Sequence, residues 1–143
     1  MGEGGLRFHI AGFPVAVPLG GILGVLLIAY LWTPNFTEPG RSGIVLAAVF
    51  AVLLYAGVLV HELAHAWAAR AFGYPVHGIT LWLLGGYTVY ERRTSRPWPE
   101  LVIAVIGPIS TLLLAGLCWV LAEVTSGSVS LLLGALAWTN GLL

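Results

Sequence analysis

Four apolar runs, at about 13–32, 43–72, 100–122 and 128–143, constrain this chain more than any other feature, because so little polar sequence lies between them. A helix needs about 20 apolar residues to cross the hydrocarbon core of a bilayer. The first and third runs have about that length; the second is longer and the fourth shorter. With 59% hydrophobic and 8% charged residues and a mean hydropathy of +0.95, the composition lies well beyond the apolar share of about 45–50% found in soluble domains. The fold class expected is an all-α polytopic membrane protein with about four transmembrane helices, built as a single domain over residues 1–143 and set in a lipid bilayer. The N-terminal run is too long for the apolar core of a signal peptide and shows no small-x-small cleavage pattern, so it reads as a retained span. Net charge is zero and lysine is absent, which leaves nothing to attract a nucleic acid. Cys118 stands alone and cannot form an internal disulfide.

The arginines are placed unevenly. Arg70, Arg92, Arg93 and Arg96 flank the connection between the second and third runs, whereas the other connections carry Arg41 against Glu38, and Glu123. Basic residues favour the cytoplasmic side. The 73–99 connection is therefore expected in the cytoplasm, together with the N-terminus. Within it, "VHGITLWLLGGYTVYERR" is rich in β-branched and aromatic residues and is interrupted at Gly85-Gly86, which predicts a β-hairpin with the two glycines as its turn. Both faces of that hairpin are apolar. At membrane depth its free edge must be satisfied by protein or by a water-filled cavity, so a hairpin packed on the helices and an edge that pairs with substrate are both open.

At the end of the second run stands "HELAHAWAARAFG". His61 and His65 are four residues apart and share one helical face, so both imidazoles can reach one metal ion, while Glu62 can approach a water bound to it. In the H-E-x-x-H pattern zinc activates the water and the glutamate carries its proton. From this composition the pattern arises by chance roughly once in 200 such chains. Ionisable groups in a span are costly and by default mark a function. The bland alternative is three polar side chains satisfied by neighbouring helices. Arg70 is read as favouring the helix C-terminus and reaching the interface, and His9 and His77 as interfacial residues. In the third run, Gly107-Pro108 predicts a kink that frees a backbone carbonyl beside the Ser110 and Thr111 hydroxyls, a feature that serves packing or function.

Taken together, "HELAHAWAARAFG", "ITLWLLGGYT" and "RPWPELVIAVIGPIST" resemble the site-2 protease family of intramembrane zinc metalloproteases, and "LRFHIAGFPVAVPLG" resembles that family's N-terminal strand leading into its first helix. The resemblance implies a protease of the bacterial plasma membrane that cuts transmembrane segments of regulators, such as anti-sigma factors or membrane-tethered transcription factors. It implies Zn2+ as the cofactor, His61 and His65 as ligands and Glu62 as the catalytic glutamate. For substrate binding it implies Gly85 and Gly86 of the hairpin, with Gly107, Pro108 and Thr111 of a G-P-x-x-N/S motif, where Thr111 takes the Asn/Ser position. The family's third ligand is an aspartate of an N-x-x-P-x-x-P-L-D-G type motif on the next helix. This sequence contains no Asp, and the ligand is expected beyond Leu143. Glu91, Glu100 or Glu123 could replace it only if the fold brought one to His61. The alternative function is a catalytically inactive membrane module that binds transmembrane peptides.

Overall fold

The computed structural model describes residues 4–37 and 43–142; Glu38 and Arg41, which entered the charge balance above, lie outside them. The chain runs β1 (Gly5–Ile10), β2 (Phe13–Pro18), α1 (Leu19–Trp32) with a 3-10 turn (Thr33–Phe36), α2 (Ile44–Ala71), β3 (Val76–Trp82), β4 (Gly85–Tyr90), α3 (Pro97–Val124) and α4 (Gly127–Leu142). Among the described residues three helical segments, rather than the four expected, are long and apolar enough to cross a membrane: Leu19–Phe36, Ile44–Ala71 and Pro97–Val124. At 16 residues α4 rises about 24 Å, short of a full crossing. The chain is an integral membrane protein, mostly helical, with a small sheet.

The first apolar run is divided. Residues 13–18, which run length places in a span and the family resemblance in a strand, form β2. The physical reason is that Pro14 lacks an N–H for a helix interior, whereas Pro18 sits where α1 begins, extended at φ −64° and ψ 170°, a position proline suits. A tight turn at Ala11 and Gly12, with φ of 53° and 80°, returns β1 onto β2, the left-handed pair that two-residue hairpins favour. Beyond the helix that carries "HELAH", Gly73 takes φ 76°, and Gly73 and Tyr74 donate back to the Arg70 and Ala69 carbonyls. That is the glycine stop the sequence predicts.

The four strands make one sheet in the order β1-β2-β3-β4. Only β2 and β3 run parallel, with Val15 opposite Ile79 and Ala16 opposite Thr80. Both free edges belong to β1 and β4. Of the hairpin expected over the 73–99 connection, β3 is internal, because the N-terminal hairpin covers it, and β4 alone keeps an edge that could pair with substrate. The β3–β4 turn also differs from expectation: Trp82 pairs with Gly85 and Leu81 with Gly86, so Leu83 and Leu84 form the turn and both glycines open β4. Two apolar residues can occupy that turn because Tyr55 of α2 donates its hydroxyl to the Trp82 carbonyl at 2.9 Å and also meets the Leu83 carbonyl.

One face of the sheet packs Phe13, Val15, Ile79 and Leu81 against Tyr55 and Ala66 of α2. Arg70 closes this layer, its guanidinium 3.8 Å over the Phe13 ring and Nη2 donating to the Gly12 carbonyl at 3.3 Å. Its part is structural. The hairpin tip wedges between α1 and α2: a methyl at Gly21 would strike the Leu81 carbonyl and one at Gly24 the Leu83 carbonyl. Gly24 at the same point makes room for the Tyr55 hydroxyl of α2, so the glycines of the first span admit both the hairpin and a side chain of the next helix. At the other end, Phe36, Ala47, Phe50, Cys118 and Leu136 form a second core between α2, α3 and α4.

Candidate functional site

His61, Glu62 and His65 lie on α2 near its C-terminal end, beneath the sheet and facing α3. The two imidazole rings meet edge to face, centroids 4.7 Å apart. Both point at Gly107. A Cβ built there would lie 2.6 Å from His61 Nε2 and closer still to His65 Nε2. The absence of a side chain at this single position on α3 is what leaves space between the two nitrogens. Zinc–imidazole bonds are about 2.0–2.1 Å, and two nitrogens converging on one small space suit such an ion.

The orientation of His65 is fixed by α3. Its Nδ1 is 2.6 Å from the Ile103 carbonyl oxygen, which can only accept, so Nδ1 carries the proton and Nε2 keeps its lone pair. Gly107 and Ile103 are one turn apart on α3, and they present to α2 a gap and an acceptor. Pro108 lies within the helix. Its neighbours spend their hydroxyls locally, Ser110 on the Gly107 carbonyl at 2.6 Å and Thr111 on the Pro108 carbonyl at 2.9 Å. Thr111 is 1% exposed, so its hydroxyl is committed inside α3 and no free donor is offered there.

Glu62 is only 6% exposed and leans towards β4. Thr88 of β4 donates to its Oε2 at 2.7 Å and stands 3.0 Å from its main-chain oxygen. Gly86 faces the same side chain, and a Cβ there would lie 2.8 Å from Glu62 Cγ, whereas one at Gly85 would meet nothing within 4 Å. The two glycines therefore differ: Gly86 is required by the approach of Glu62, and Gly85 is not. A cavity of about 290 Å³ is lined by Glu62, His65, Gly86, Thr88, Tyr90 and Ile103, among others. At its mouth Tyr90 donates to Glu100 at 3.0 Å, with Arg92 Nε 3.6 Å from the same carboxyl group. Burial first, then the bond to Glu100, holds the Tyr90 phenol above its ordinary range, so it stays a donor.

Among the described residues no third His, Cys, Asp or Glu joins the two histidines. Glu100 is taken up by Tyr90 and Arg92, and Glu91 faces Arg93 at 4.0 Å. Glu123 lies sixteen residues from Gly107 on α3, about 24 Å along the helix. His9 and His77 are exposed on the sheet. Sequence reasoning missed Thr88, the Ile103 carbonyl and Asn140, a buried amide of α4 that donates to the Leu136 carbonyl at 2.8 Å. None carries a motif. A polar residue in a strand that is otherwise apolar and aromatic was the one available signal for Thr88.

Comparison with known proteins agrees with this architecture. Rip3 of Mycobacterium tuberculosis is 37% identical over 129 residues, covering 78% of this chain and 33% of that protein. The zinc metalloprotease MJ0392 of Methanocaldococcus jannaschii is 28% identical over 102 residues, 71% of this chain and 27% of its own length. The chain thus spans about a third or less of the length of these curated relatives. Among solved structures, the site-2 protease from Methanocaldococcus jannaschii superposes with a TM-score of 0.74 over 96% of this chain and 61% of its own, at 24% identity; that likeness concerns the fold. The sequence model of peptidase family M50 matches residues 49–139, most of the described chain and the whole of the α2–β4–α3 site, and the chain belongs to that family.

Proposed function

We propose that this chain is a membrane domain of an intramembrane zinc metalloendopeptidase, with His61 and His65 as metal ligands and Glu62 as the catalytic glutamate. The observation that carries the reading is the convergence of His61 and His65 Nε2 on Gly107, with the Glu62 carboxylate buried one residue away and facing a cavity. Zinc held there supplies a Lewis acid that polarises the scissile carbonyl and acidifies water. Glu62 accepts the proton of the attacking water and hands it to the leaving amine. His65 is kept in the metal-binding tautomer by Ile103. A transmembrane helix hides its carbonyls in its own hydrogen bonds, so the scissile segment must be extended to be cut. The free edge of β4 offers the backbone groups to hold it by strand addition, beside Glu62.

Membrane-spanning proteins are the substrate class this geometry favours, and membrane-tethered regulators are the members of it that the family resemblance points to. Arg7 within the sheet and Arg70, Arg92, Arg93 and Arg96 beside it favour a cytoplasmic site, and the family resemblance favours a bacterial plasma membrane. A second reading, a module that binds transmembrane peptides without cutting them, draws on one observation: only two ligands come together among the described residues, where catalytic zinc sites use three.

The experiment is elemental analysis of the detergent-purified protein beside cleavage of a reconstituted transmembrane peptide. Near-stoichiometric zinc that is lost in His65→Ala, with chelator-sensitive cleavage that is lost in Glu62→Gln while zinc remains, is the expected outcome. Zinc-loaded protein that holds the peptide and leaves it intact overturns the peptidase reading in favour of the binding module.

A further inference from the structure

Strand β4 meets the catalytic glutamate at two points. Gly86 and Thr88 are two residues apart and so lie on the same face of the strand. Gly86 makes room for Glu62 Cγ, and Thr88 bonds its carboxylate at 2.7 Å. A hydroxyl has one proton to donate. Of its two acceptors, the carboxylate oxygen at 2.7 Å is nearer than the main-chain oxygen at 3.0 Å, and hydrogen bonds to charged acceptors are the stronger kind. One of the two lone pairs of Oε2 is thereby engaged. Oε1 has no hydrogen-bond partner among the described residues, which leaves it as the oxygen free to take a proton.

We infer that Thr88 is a positioning residue for the proposed peptidase: its hydroxyl holds the Glu62 carboxylate so that Oε1 addresses the attacking water. This rests on the proposed peptidase reading. The position of Thr88 adds a coupling. It sits on the strand whose open edge takes an extended substrate, so whatever orders β4 also orders Glu62. The ordinary alternative is a strand threonine that satisfies itself on the nearest carbonyl, the 3.0 Å contact, with no consequence for the carboxylate.

The test compares Thr88→Val, which keeps the shape and removes the hydroxyl, with Thr88→Ser, which keeps the hydroxyl and removes the methyl. Infrared difference spectra against Glu62→Gln isolate the Glu62 carboxylate stretch. That band is expected to shift in Thr88→Val and to return in Thr88→Ser. With a reconstituted transmembrane peptide, Thr88→Val is expected to lower kcat about 10- to 100-fold, part of the 10²–10⁴ that general acid–base catalysis contributes. KM stays within about 2-fold, zinc per chain is unchanged, and Thr88→Ser stays within about 3-fold of the parent, the small change that follows when only a methyl beside a retained hydrogen bond is removed. An unmoved band, an unchanged kcat in Thr88→Val, or a Thr88→Ser variant as impaired as Thr88→Val would each overturn the inference. An inactive, zinc-loaded parent overturns the peptidase reading and, with it, the catalytic role of Thr88, while the infrared band still decides whether Thr88 holds Glu62.

Discussion

Gly107 is the residue at which α3 lets two imidazoles converge. Gly107→Ala is expected to cut zinc per chain at least 10-fold with the fold retained, since the new methyl lands between the two Nε2 atoms, while alanine is the better helix former by about 1 kcal/mol. Elemental analysis beside a thermal melt checks this; full zinc in the variant would remove the role given to Gly107. That His61 and His65 share one face beside Glu62 was legible because it depends on spacing within one helix. Gly107 was legible as a motif and not as a reason, because the rotation of α3 against α2 is set by packing along both helices. The hydroxyl of Thr111, which the family resemblance assigned to substrate binding, is bonded to the Pro108 carbonyl, a local competition that no motif records.

Among the elements, β4 carries the exposed edge and β3 the core. Val89→Lys places a charge on an edge strand, the device by which natural sheets resist strand addition. It is expected to raise KM for a transmembrane peptide about 10-fold or more, as loss of one or two kcal/mol of binding would, with zinc and melting temperature unchanged. Ile79→Lys, at a position 1% exposed, is expected to fail in folding, seen as lost monodispersity in detergent. A Val89→Lys variant with parental kinetics would place substrate elsewhere. The hairpin was legible from its β-branched and aromatic content, but its turn was displaced to Leu83-Leu84, which is tolerable only because Tyr55 serves its carbonyls. By run length alone residues 13–18 passed for helix, because an unbroken apolar run has no period to separate strand from helix; Pro14, Pro18 and the resemblance to a family strand were the signals.

Across the whole molecule, the sheet, the catalytic motif and the arginine-rich connection share one end. Glu91→Cys in a Cys118→Ala background is expected to react with a membrane-impermeant maleimide only from the cytoplasmic side, and Thr125→Cys, at the far end of α3, only from the other. The reverse pattern would invert the topology proposed from charge. Four helices were legible from run lengths, although among the described residues three of them, not four, are long enough to span; that the two ends of the sheet meet was not, since it depends on α1 and α2 both crossing. The parallel pairing of β2 with β3 joins strands made before and after that helical pair. During biogenesis the N-terminal hairpin must wait until both helices have threaded the bilayer before its partner arrives. A chain in which one of the two helices failed to cross would leave the two hairpins on opposite sides, and β3 would lose the partner it has in β2. The sheet thus closes only in molecules whose first two helices both cross, and in any other it leaves β3 a bare edge.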